Sequence, residues 1–185
     1  MKTIVTMAGV LALSAGSMFA GIVPVDGSWT EFAFTTVGTF ATGACSVCGG
    51  TTVDPIAAQG INSPWTFSGS AILTETDLFL EGDQFQVFDN GISLGDTSVP
   101  LNTGLDPCTN DIGCALGNAG YSSGVFDLGG GAHSITIEVV QDAIGTQGGA
   151  GAFSVSAAAA APEPGTMALF AAGLGMLGFA RRRRA

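Results

Sequence analysis

Between Gly21 and Ala161 the chain carries fourteen aspartates and glutamates, from Asp26 to Asp142, and no lysine or arginine. This body cannot form a single lysine or arginine salt bridge. One-signed charge favours solubility but strains the compact state by self-repulsion, which a divalent cation or a basic partner would relieve. It also leaves no means of neutralising phosphates, so direct nucleic-acid binding through the body is excluded. The five basic residues lie at the two ends, as Lys2 and Arg181, Arg182, Arg183 and Arg184. A chain of 185 residues, 46% of them hydrophobic, fits one domain with a real core plus targeting segments.

The amino-terminal end has the three regions of a secretory signal peptide: Met1-Lys2, an apolar stretch from Ile4 to Leu13, and Ser17-Met18-Phe19-Ala20. Cleavage after Ala20 is expected, which assigns residues 1–20 to the signal and the Sec export machinery as partner. Met18 is larger than the usual residue at its position, so a cut nearer Ser17 stays open, and a buried helix is the non-targeting alternative.

At the other end, Gly165 to Ala180 is a run of sixteen uncharged residues. As a helix it spans roughly 24 Å, short of a ~30 Å hydrocarbon core unless the arginines snorkel or the bilayer thins. Arginines 181–184 place its far end on the cytoplasmic side and the acidic body outside. A plain carboxy-terminal anchor and a glycolipid-anchor signal are the alternatives, the latter normally lacking a basic end. Immediately before the helix stand Pro162, Glu163 and Pro164, whose prolines keep the backbone extended and accessible to an enzyme. Ala157 to Ala161 reads as a linker of residues 157–161, with the body ending near Ser156.

The order of these features, Pro-Glu-Pro, short apolar helix, arginine cluster, resembles the sorting tag of PEP-CTERM proteins over residues 162–185. The resemblance implies recognition by exosortase, a membrane enzyme that removes the tail during export. It further implies an inner-membrane-anchored precursor in a Gram-negative bacterium, then delivery to the cell surface or an exopolysaccharide or biofilm matrix. Composition alone reaches only an exported and anchored chain.

Within residues 21–156 the periodicity is that of strands. Phe32 and Phe34, then Ile135, Ile137 and Val139, then Phe153 and Val155 alternate with polar or small residues. Asn90-Gly91 between two apolar-rich runs predicts a hairpin with strands near 84–88 and 92–95. With glycine clusters punctuating the rest, the fold class is all-β, an antiparallel β-sandwich or jelly roll. The stretches DQFQVFDNGISLGDTS and GGGAHSITIEVV resemble a module of PEP-CTERM proteins of unassigned role.

Four cysteines, Cys45, Cys48, Cys108 and Cys114, in an exported body predict two disulfides; three pairings are open, and the local one, chiefly Cys108 with Cys114, is preferred. A redox Cys-x-x-Cys lacks its βαβ context, and a four-cysteine zinc site lacks tight spacing. Gly120-Tyr-Ser122-Ser-Gly124 with Asp127 and His133 imitates a serine hydrolase order, but three triad members within twelve residues of β-rich sequence do not fit that architecture. No carboxylate pair is singled out for glycosidase chemistry.

Two loops supply oxygen ligands suited to calcium: Asp77, Asp83 and Asp89 around one hairpin, and Asp106, Asn110 and Asp111 at the loop of Cys108 and Cys114, the latter favoured. Solvated turn residues, common in such loops, are the favoured explanation of both. Trp29, Trp65 and Tyr121 are candidates for stacking on sugar rings, with core packing as the alternative. The expectation is a non-enzymatic surface or matrix protein; the alternatives are a secreted polysaccharide-active hydrolase and an anchored calcium-dependent sugar-binding module.

Overall fold

A computed structural model describes residues 20–43 and 61–159. The signal segment up to Phe19, Cys45 and Cys48, and the sorting segment with Pro162, Glu163, Pro164 and Arg181 to Arg184 lie outside the described residues.

Alternation of apolar and polar side chains produces nine strands and one short helix. They are β1 (Gly21–Ile22), β2 (Asp26–Phe34), β3 (Trp65–Ser68), β4 (Ala71–Leu78), β5 (Gln84–Asp89), β6 (Ile92–Asp96), α1 (Ile112–Gly117), β7 (Ser123–Leu128), β8 (Ala132–Gln141) and β9 (Gly149–Ala157). One sheet has the order β1-β3-β8-β5-β6 and the other β2-β9-β4-β7. Every pairing is antiparallel except β1 with β3. The all-β expectation holds.

The residues picked out by period-two alternation are the ones that bring the sheets together. Phe32, Phe34, Phe153 and Val155 of the four-stranded sheet share one buried cluster with Trp65, Phe85, Ile135, Ile137 and Val139 of the five-stranded sheet. Ring contacts join the layers: Phe32 stands edge-on to Phe85 with centroids 5.4 Å apart, and Phe153 lies 4.9 Å from Trp65. Tilted and edge-on pairs suit the aromatic quadrupole and add to the area buried.

The hairpin forms where Asn90-Gly91 predicts it, with strands at 84–89 and 92–96. Asn90 (φ 51°) and Gly91 (φ 76°) both adopt positive φ, which a tight turn matched to strand twist requires. β9 extends one residue into the alanine run, and the Ala158 N–H donates to the Ser70 carbonyl at 3.1 Å, so the fold reaches slightly past Ser156.

A second, smaller cluster covers the outer face of the four-stranded sheet. Leu78 and Ala152 pack there under Cys108, Ile112, Ala115 and Tyr121. Cys108 and Cys114 are disulfide-bonded as expected, closing the loop that leads into α1.

Truncating Phe32 to Ala should cost about 3–5 kcal/mol, because the ring lies fully buried at the meeting point of both sheets. Val99→Ser, at a site 80% exposed, should stay within about 0.5 kcal/mol. Urea unfolding of the two variants measures the contrast; equal losses would place the core elsewhere.

Candidate functional site

Because β4 pairs in register with β9, Leu73, Glu75 and Asp77 share the face that looks into the core. Glu75 is fully buried and neither carboxyl oxygen has a hydrogen-bond partner among the described residues. Burial therefore pushes its carboxyl well above the usual range. Asp77 is also fully buried; burial first, then repulsion from Asp83, raises it to about 10. Its Oδ2 accepts the Asp83 N–H at 3.3 Å. Asp83 is raised to about 6, again mainly by burial, although its Oδ1 accepts a 2.6 Å hydrogen bond from the Ala143 N–H.

At neutral pH this places a protonated Asp77 beside an Asp83 that has lost most of its proton, an acid next to a base. Asp83 also lines a narrow groove of about 190 Å³, otherwise apolar, with Leu78, Phe79 and Ala150.

The other end of β5, at Asp89, meets the one histidine, which β8 carries. His133 Nδ1 lies 2.8 Å from Asp89 Oδ2, while Nε2 faces the Gly69 and Gly129 carbonyls at 3.1 and 2.9 Å. Its ring stacks on Phe67 with centroids 4.9 Å apart. Burial alone would lower its affinity for a proton. The bond to Asp89 and the two carbonyls outweigh that, so the pKa is raised. Both ring nitrogens meet acceptors, as only the imidazolium can satisfy. The pair pins the β5–β6 hairpin to the turns that precede β4 and β8.

These positions decide several sequence expectations. The hydrolase arrangement is not assembled: His133 is engaged by Asp89, Asp127 is exposed, and Ser122 is buried with its Oγ unpartnered among the described residues. Two of the sugar-stacking candidates are corrected. Trp65 is fully buried with Nε1 donating to the Ile61 carbonyl, and Tyr121 is 2% exposed with its hydroxyl donating to the Phe79 carbonyl. Neither ring face is open to a ligand. Trp29 is half-buried against the Leu78 cluster.

Asp77 and Asp83 do come together, whereas Asp89 goes to His133. At the disulfide loop, Asp106, two residues before Cys108, accepts the Thr109 N–H at 2.7 Å, Asp111 caps α1 by accepting the Cys114 N–H at 2.9 Å, and Asn110 is buried. Both carboxylates are thus used by the backbone. No three acidic, histidine or cysteine side chains gather closely enough to hold a metal ion among the described residues. Sequence reading missed the buried acids as a core feature; the signal was the register of Glu75 and Asp77 with Leu73.

Two predictions follow from these environments. An acid whose folded pKa is raised stabilises the fold below its unfolded value, about 4, and loses that contribution as pH climbs to the folded value. His133, raised as well, contributes below its ordinary pKa and loses its share as pH rises past the folded one. Both signs agree, so the melting temperature should rise when pH is lowered from 8 to 5. Asp83→Asn should flatten the segment between about pH 4 and 6. A melting temperature that falls steadily over the same range would contradict both assignments. Separately, Asp111→Ala should cost roughly 0.5–2 kcal/mol by uncapping α1, with or without calcium, while Asp111→Asn keeps most of it. Chemical unfolding with and without chelator tells a cap from a cation ligand.

Residues 160–184 match the family model of the PEP-CTERM protein-sorting motif. No curated protein and no solved structure matches the chain. The motif marks an exported protein that is anchored in a membrane, sorted by exosortase and processed.

Proposed function

We propose that the chain is a non-enzymatic protein of the surface or exopolysaccharide matrix of a Gram-negative bacterium, exported through the Sec machinery and released when exosortase cuts near Pro162-Glu163-Pro164. The observation that carries this reading is the sorting motif itself, placed directly behind the last strand of the fold. Four residues separate the end of β9 from Pro162, a reach of at most about 18 Å. An anchored body therefore sits against the membrane, and only cutting the tag frees it. The body adds an acidic, lysine- and arginine-free surface that repels its own copies and keeps a released domain soluble.

A second reading has one observation in its favour, the Asp77–Asp83 acid–base pair beside its groove. On that reading the exported body is a hydrolase of the same matrix.

Changing Pro162, Glu163 and Pro164 together to alanine should leave a full-length, membrane-bound species and remove the extracellular one, read by intact mass of both fractions. Unchanged release would defeat the sorting role of those residues. Purified exopolysaccharide should retain the wild-type protein without release of reducing ends. Turnover that Asp83→Asn abolishes would overturn the non-enzymatic assignment in favour of the second reading.

A further inference from the structure

The Gly21 nitrogen occupies an unusual position for a peptide N–H. It lies 2.9 Å from the Asn62 carbonyl oxygen and 3.0 Å from that of Pro64. One amide proton is divided between two acceptors, whereas an ammonium group offers three protons and satisfies both. The surroundings are built closely around this residue. A Cβ at position 21 would run into the Ile61 side chain and the Asn62 carbonyl, so only glycine fits. The rest of β1 is held in register: the Gly21 carbonyl accepts the Thr66 hydroxyl at 3.2 Å, and the Val23 N–H donates to the Thr66 carbonyl at 3.1 Å. Ala20, one residue earlier, is exposed.

We infer that residues 61–64 form a cradle for a new amino terminus, and that cutting the Ala20–Gly21 bond completes the fold. The inference rests on the export reading, which places a cut after Ala20. In the step, water adds across the amide: its hydroxyl joins the Ala20 carbonyl carbon to give a carboxylate, and the C–N bond breaks. The Gly21 nitrogen departs as an amine and takes up a proton. An endopeptidase on the outer face of the membrane supplies the catalysis. The resulting ammonium makes two charge-assisted hydrogen bonds where the precursor has one shared donor.

It also brings a cation to a body whose fourteen carboxylates have no lysine or arginine among them. A precursor that keeps its leader lacks this lock and is the looser, export-competent form. The processed chain is the tighter one. Processing and stabilisation are in this way a single event.

The composition allows a selective test. Lys2 is the only lysine, so in an exported chain beginning at Gly21 the α-amine is the sole primary amine. The exported protein, recovered from its host, is sized by intact mass and treated with an amine-acylating succinimidyl ester, folded and in urea. The expected result is a chain starting at Gly21 whose folded amine is acylated at least tenfold more slowly than the unfolded one. Acylation in urea followed by refolding should lower its melting temperature. Inserting one alanine between Ala20 and Gly21 moves the amine out of the cradle, and folded-state labelling should then reach the unfolded rate. A chain that begins at Gly21 but labels equally fast in both states would overturn the cradle and leave export intact. Equal protection in the insertion variant would do the same. A chain that starts elsewhere, or keeps its leader, would overturn the cradle together with the cut on which it rests.

Discussion

In a body without lysine or arginine, a carboxyl group that leaves water must settle with something other than a permanent cation, and the fold uses three solutions. Backbone and side-chain N–H or O–H groups take some: Glu81 accepts from Thr103 and Asn118, and Asp83 from the Ala143 N–H. Histidine takes one, Asp89. Glu75 and Asp77 take the third route and keep their protons, because desolvation in the core costs more than neutralisation. The same constraint puts the stabilising contribution of these acids on the acid side, where carboxylates paired in the native state lose theirs.

The two ends of β5 show how differently the solutions behave. At its start, Asp83 and Asp77 crowd two acids into a pocket with few donors, and the proton held there depends on pH. At its end, Asp89 receives the Ser134 N–H as well as His133, so the charge is surrounded by donors on two sides. In the first arrangement burial, not a counter-charge, sets the protonation. The second is a clamp, and it sits close to β1: Ile22, Phe67, Asn90 and His133 border one shallow groove. Positive charge, from the histidine and, on the cradle proposal, from a freed Gly21 amine, is thus gathered beside β3, whereas the Asp77–Asp83 pair lies at the start of β5.

Much of the fold was legible because its signal is local and repetitive. Phe32, Phe34, Ile135, Ile137, Val139, Phe153 and Val155 announce their burial by alternation, and Asn90-Gly91 announces its turn by composition. The short disulfide between Cys108 and Cys114 is legible for the same reason. Features that depend on distant partners were not. His133 and Asp89 are 44 residues apart, and nothing near either one names the other. Asp77 reads from the sequence as a hairpin oxygen ligand and Glu75 gives no signal of its own; only the alternation with Leu73 along β4 places both inward. Trp65 and Tyr121 pose the opposite problem. Their rings suit either a ligand or a core, and the choice is made by strands β8 and β9, far away in sequence.

Chain order then ties the fold to its delivery. Among the described strands, only β5 and β6 are consecutive neighbours within one sheet; every other connection passes to the opposite layer. The centre of each sheet is filled late, by β8 between β3 and β5 and by β9 between β2 and β4. Neither layer can close until nearly the whole body is present, and such non-local pairing folds slowly. β9, the last strand, is followed almost at once by the sorting motif at residues 160–184. On a chain that crosses the membrane amino terminus first, the strand that completes the four-stranded sheet and the tag that stops the chain emerge together. On the proposed export reading, the acidic, cation-free composition keeps the unfinished chain soluble during that interval.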